Sequence, residues 1–162
     1  MADTRQLRRL IAYNQWGDEK ILAAIEGLSG EALAHPVEAY VGSVANNLRH
    51  TLFAQLNWLA RWKGEPSPVR PDQPVIAPWR EAYAAAHAAL AAYVGSLSEA
   101  DAERTVKWTD FKGNAREHRL DQLITHLVNH GTQHRAETGL LLERIGRSPG
   151  DLDYLYFSLE HA

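Results

Sequence analysis

The chain has 162 residues and a formal net charge of −3, with eight histidines and no cysteine. A globule of this length buries roughly 70% of the surface that its unfolded chain exposes, so one domain builds a core without staples. The missing cysteines exclude disulfide frameworks, thiolate zinc sites, covalent c-type haem, iron–sulfur clusters and a cysteine nucleophile, and leave nitrogen and oxygen as the only metal ligands.

Hydrophobic residues make up 45% and charged residues 23% of the chain, the mix of a soluble globular protein. With a slight negative charge there is no electrostatic footprint for nucleic acid; the one basic cluster, Arg5, Arg8 and Arg9, reads as a solvated helix face. No apolar run approaches the roughly 18 residues that a membrane span needs. The opening MADTRQLRRL has charges but no apolar stretch of a secretory signal. The expectation is a soluble cytoplasmic protein without membrane or nucleic-acid partners.

In chain order, the segment 4–28 carries Leu7, Leu10, Ile11, Ile21, Leu22, Ile25 and Leu28 on one helical stripe, with Asp3 or Thr4 as N-cap. Asn14 and Asp18 sit one turn apart in the centre of that stripe. Buried polar groups need partners, either an inter-helix hydrogen-bond pair or the surroundings of a metal site. Trp16 lies opposite the stripe, where an exposed aromatic can mark a homodimer interface.

A second helix is predicted over 43–63, from Ser43 to Gly64, with Val44, Leu48, Leu52, Gln55, Leu59 and Trp62 on its apolar face. His50 falls off that face on a row with Ser43, Asn47, Ala54 and Asn57, which fits either a solvent-facing edge or the lining of a semi-polar cleft. The stretch 64–78, with five of the seven prolines, is an extended crossover. Pro78 opens a third helix over 78–98, with Trp79, Tyr83, Ala86, Leu90, Tyr93, Val94 and Leu97 on one face. Between 104 and 118, Val106 and Trp108 alternate with polar residues and Lys112-Gly113-Asn114 supplies a turn, predicting a short hairpin. A fourth long helix covers 119–145, ending at Gly146, and the apolar tail DLDYLYF docks as a short helical turn. Four long amphipathic helices with one long crossover predict an all-α four-helix bundle in a single domain over 1–162.

Histidine placement carries the functional signal. His35, His87, His118 and His161 read as surface or helix-flank residues. His126, His130 and His134 follow one another at four-residue steps, the spacing that puts two imidazoles on one helix face. All three cannot serve one ion, because eight residues span about 12 Å of helix axis. With Leu120 as the origin of the apolar stripe, His134 lies at about −40°, His130 near −80° and His126 near −120°. The pair His130 and His134 therefore faces the other helices, and His126 points toward a flank. Gly131 and Thr138, central on the stripe, allow another helix to come close.

These residues resemble the DinB/YfiT-like superfamily of metal-dependent proteins over nearly the whole chain. The resemblance lies in YNQW at 13–16, LRHTLFAQLNWL around His50, HLVNHGTQHRAE and the closing DLDYLYF. Its most specific feature is one histidine from the second helix plus His-x3-His-Arg-Gly-Gln on the last long helix, here His50, His130, His134 and Arg135. Ala136 and Glu137 stand where the family usually has Gly and Gln, and Glu137 offers an extra acidic group beside the ligands. The resemblance implies a four-helix bundle, a nickel or zinc ion on three histidines and often a homodimer. Asn14, Asp18, Asn47, His126, Arg135 and Glu137 are the expected surroundings of the site. Some relatives are transferases or isomerases that use a low-molecular-weight thiol, which in a cysteine-free chain must arrive as a co-substrate. The expected activity is that of a metal-dependent hydrolase or thiol transferase acting on a small molecule; the rival expectation is a non-catalytic, stress-associated bundle with a structural or vestigial site. Gly131 in place of Glu removes the zinc-protease pattern His-Glu-x-x-His, and the absence of any Glu-x-x-His removes the di-iron bundles.

Overall fold

The computed structural model describes residues 2–36, 42–68 and 78–162. Helix dominates them. The order is α1 (Thr4–Ala24), α2 (Gly30–Ala34), α3 (Val44–Lys63), α4 (Trp79–Ser96), α5 (Glu99–Glu103), β1 (Thr105–Thr109), β2 (Ala115–Arg119), α6 (Leu120–Arg144) and α7 (Tyr154–Glu160). Four of these are long. α1 packs on α6 and α4, and α3 packs on the same two. No helix among the described residues is long and apolar enough to cross a membrane.

The helix ends follow local chemistry. The Asp3 carboxylate accepts from the backbone of Arg5 and Gln6 at the start of α1, and Ser43 accepts from Asn46 N at the start of α3. At the end of α6, Gly146 takes φ +73° while Arg147 N donates to Leu142 O at 2.9 Å and Gly146 N to Glu143 O at 3.0 Å. That pair of bonds is a Schellman ending, with glycine in the left-handed conformation where a Cβ would be strained.

Three details depart from the sequence reading. The first helix ends at Ala24 rather than 28, because the chain reverses through Gly27 at φ +78° into the short α2 that Ser29 caps. A second unforeseen helix, α5, carries a capping box between Ser98 and Asp101. Trp16 is no exposed interface marker: it packs on Phe157 of α7 at 5.9 Å between ring centroids, and its Nε1 donates to Glu160 Oε2 at 2.7 Å. The expected docking of the tail is what covers it. The predicted hairpin forms, antiparallel from Thr105 opposite Arg119 to Thr109 opposite Ala115. Most of the predicted 64–78 crossover, residues 69–77, lies outside the described residues.

The core has two apolar halves. One gathers Leu7 and Ile11 of α1, Trp58 and Trp62 of α3, Leu90 of α4, and Leu120, Ile124 and Leu127 of α6. The other gathers Ile21, Val44, Leu48, Tyr83, Leu141 and Leu142. On every long helix a polar residue separates the two sets: Asn14 and Asp18 on α1, Gln55 on α3, His87 on α4 and Arg135 on α6, all buried. Truncating one of the apolar side chains to alanine costs about 2–5 kcal/mol, so either half holds the helices firmly on its side of the polar layer.

Candidate metal centre

His50 projects from the middle of α3, and His130 and His134 from successive turns of α6. Because α3 packs directly on α6, the three half-buried rings meet, each offering one nitrogen and all three nitrogens lying within 4.8 Å of one another. The Nε2 atoms of His50 and His130 are 3.2 Å apart. Two ligand nitrogens about 2.0–2.1 Å from one tetrahedral ion stand about 3.3 Å apart. The spacing is therefore that of imidazoles aimed at a shared point. Ring centroids of 5.0, 4.5 and 4.5 Å close the triangle.

Two features keep these nitrogens available as lone-pair donors. Burial, with the neighbouring imidazoles of His134, His50 and His126, pushes the pKa of His130 down to about 4, so the ring is neutral at pH 7. His134 directs its Nδ1 at Glu137 Oε2, 2.6 Å away, which leaves Nε2 for the trio. Glu137 is held in turn by Gln133, whose Nε2 donates to Oε1 at 3.1 Å. Burial pushes the Glu137 carboxyl up, but the hydrogen bonds from Gln133 and His134 outweigh it and hold it below the usual value. A carboxylate on the far nitrogen of an imidazole fixes its tautomer and raises its basicity, the arrangement seen behind histidine metal ligands.

Of the predicted surroundings, Glu137 is hydrogen-bonded to a member of the trio, His134. Asn14, Asp18 and Arg135 form the polar layer instead. Arg135 Nη1 donates to Asp18 Oδ1 at 2.9 Å and to Asn14 Oδ1 at 2.8 Å. Asp18 Oδ2 accepts from Gln55 Nε2 at 2.9 Å and faces His87 Nε2 at 3.0 Å. His87, read from the sequence as a surface or flank residue, is 4% exposed and is the contribution of α4 to this layer. Its position was visible in the pattern, four residues after Tyr83 and three before Leu90 on the apolar face. Gln55 sat in the predicted stripe of its helix without being read as polar machinery.

Space for the layer comes from two glycines on facing helices. A Cβ at Gly131 would stand 2.6 Å from Asn14 Oδ1 and 2.8 Å from Arg135 Nη1, and one at Gly17 would stand 2.7 Å from Arg135 Nε. The expectation that Gly131 lets another helix come close is met by α1, whose Asn14 side chain shares the space with the Arg135 guanidinium of α6 itself.

The row that carries His50 is a cleft rather than an edge: Ser43, Asn47, Ala54 and Asn57 are all buried. Asn47 Nδ2 and Asn57 Oδ1 lack hydrogen-bond partners among the described residues. His126 is exposed, as its angle predicts, with its ring edge-on to Trp58 at 5.3 Å between centroids. Beside the trio lies a cavity of about 240 Å³ lined by His50, His130, His126, Asn57, Trp58, Arg61, Trp108 and Phe111, among others. The sequence reading missed Trp58, Arg61 and Phe111 as site residues.

No curated protein shows significant similarity to the chain. The sequence profile of the DinB family, by contrast, matches residues 1–160, essentially the full length over which the helices and the three histidines are distributed. The chain belongs to the DinB family.

Proposed function

We propose that this chain is a four-helix-bundle metalloprotein that holds one divalent ion, nickel or zinc, through His50, His130 and His134. We propose further that it acts as a hydrolase or as a transferase using a low-molecular-weight thiol. The observation that carries the reading is the convergence of three imidazole nitrogens within 4.8 Å; membership of the DinB family supports it. Three side-chain ligands leave at least one coordination position open, the mark of a catalytic rather than a closed structural site. When bound, a divalent ion supplies Lewis acidity that favours hydroxide or thiolate as a nucleophile at neutral pH.

The protein's own groups do the rest. Glu137 keeps the proton of His134 on Nδ1, and the suppressed basicity of His130 keeps its lone pair free without competition from protons near pH 7. The aromatic walls of the neighbouring cavity flank one side of the trio.

Metal analysis of the purified protein, wild type against His130→Ala, tests the site: about one ion per chain is expected in the former and almost none in the latter. Equal, substoichiometric metal in both would overturn the ligand set. A screen of esters, epoxides and other electrophiles, with and without added thiols, separates hydrolysis from thiol transfer, and turnover of nothing in either arm would overturn the catalytic reading.

A further inference from the structure

The cavity beside the trio has a chemical character of its own. Its walls are mostly apolar and aromatic, with Trp58 and Trp108 edge-on at 5.0 Å between centroids. Arg61 is the only cationic side chain, apart from the histidines, among its described lining residues. The guanidinium lies over three rings, 4.9 Å from the centroid of Trp58, 4.7 Å from Trp108 and 5.4 Å from Phe111. Its one hydrogen bond among the described residues runs from Nη2 to Thr109 O at 3.0 Å. Asp110 also lines the cavity and its charge acts on Arg61, while its carboxylate accepts hydrogen bonds from Lys112 N, from Asn114 and from Arg116, all within the hairpin. Set among aromatic rings and bonded to the protein only through Nη2 among the described residues, the guanidinium retains N–H donors suited to a planar anion.

Two further groups bear on what the cavity takes. Phe111, at the hairpin tip, is 81% exposed beside the guanidinium. Asn57, 3% exposed, has an amide oxygen without a hydrogen-bond partner among the described residues. A volume of about 240 Å³ is below the range of roughly 300–1,000 Å³ typical of sites for drug-sized ligands, so the occupant is small, about one ring with a short arm.

We propose that this cavity is a subsite for a small organic anion with a flat apolar body, of the arylcarboxylate class, in which Arg61 takes the anionic group and Trp58 and Trp108 take the ring. The ligand then lies between the guanidinium and the histidine trio. The subsite deepens the functional reading above by naming a substrate class, and it depends on that reading only for the reaction at the histidine end.

The test uses cinnamate and its neutral isostere cinnamamide as probes, with binding read from tryptophan fluorescence in the zinc-loaded protein and in metal-free His130→Ala. The proposal expects cinnamate to bind at least about tenfold more tightly than the amide in both forms, the discrimination that a charge-assisted hydrogen bond supplies. Arg61→Gln should abolish the preference and Arg61→Lys should retain part of it. Should Arg61→Gln fail to fold, the Arg61 Nε–Hε resonance of the wild type must shift with cinnamate and stay put with cinnamamide. Equal binding of acid and amide overturns the subsite, as does a preference indifferent to Arg61. A preference confined to the metal-loaded form places the anion on the metal, which overturns the subsite and spares the metal site. A preference retained in wild-type protein that takes up no zinc does the reverse.

Discussion

Glu137→Gln isolates one charge behind one ligand. The Nδ1 to Oε2 distance of 2.6 Å between His134 and Glu137 is that of a charge-assisted hydrogen bond. The amide that replaces the carboxylate still accepts from Nδ1–H, and Gln133 can turn its own amide to accept from the new NH2 group. The variant thus keeps the contact geometry and removes the negative charge. Loss of such a partner typically costs 10–100-fold in metal affinity, about 1.4–2.7 kcal/mol. With the side chains of His134 and Glu137 17% and 26% exposed, solvent screens part of the effect. The expected loss is therefore about tenfold for Gln and more for Ala, which also frees the ring to rotate. Competition against a chromophoric chelator, for zinc and nickel separately, measures it, with melting of the metal-free variants as the control for folding. Metal-free stability should change by less than about 0.5 kcal/mol. Affinity within twofold of wild type for Glu137→Gln would refute the argument that the carboxylate raises the basicity of His134.

Two further outcomes concern the polar layer. Asp18→Asn leaves the Arg135 guanidinium, 3% exposed, without a counter-charge; removing one partner of a buried pair costs about 3–5 kcal/mol, and chemical denaturation showing less than about 1 kcal/mol would mean that the charge is compensated elsewhere. Gly131→Ala should destabilise although alanine favours helix by about 1 kcal/mol. The new methyl meets Asn14 Oδ1 at 2.6 Å and Arg135 Nη1 at 2.8 Å, and such overpacking costs about 1–3 kcal/mol before any hydrogen bond is broken; a higher melting temperature in the variant would contradict it.

Periodicity located α3, α4, α6 and the hairpin because their apolar faces are continuous and their ends carry strong signals: Ser43, Pro78, Gly64 and Gly146. It failed at α2 and α5, which are too short to show a period, and at the end of α1, where Ile25 and Leu28 prolong an apolar stripe after the backbone has turned. The pair His130 and His134 was readable because both ligands share one helix. The side of α3 that carries His50 was not, since whether a row of Ser, Asn and Ala faces water or a cleft depends on what packs over it, and that is tertiary information. The same limit explains His87 and Arg61. Each acquires its role from a partner at a distance in sequence, Asp18 at 69 residues and Thr109 at 48.

Asp18 has a consequence for the time course of folding. Its carboxylate draws on Gln55, His87 and Arg135, which lie 37, 69 and 117 residues further along. Contacts of such long range are closed slowly and against chain entropy. Until α6 has docked, α1, α3 and α4 would have to enclose an acid without its cation, which is unfavourable enough to keep them apart or hydrated. The charge therefore favours docking of α6, which bears two of the three clustered histidines, over a dry core built from the three earlier helices alone. On this account the contact that neutralises Asp18 and the meeting of the trio depend on the same docking of α6.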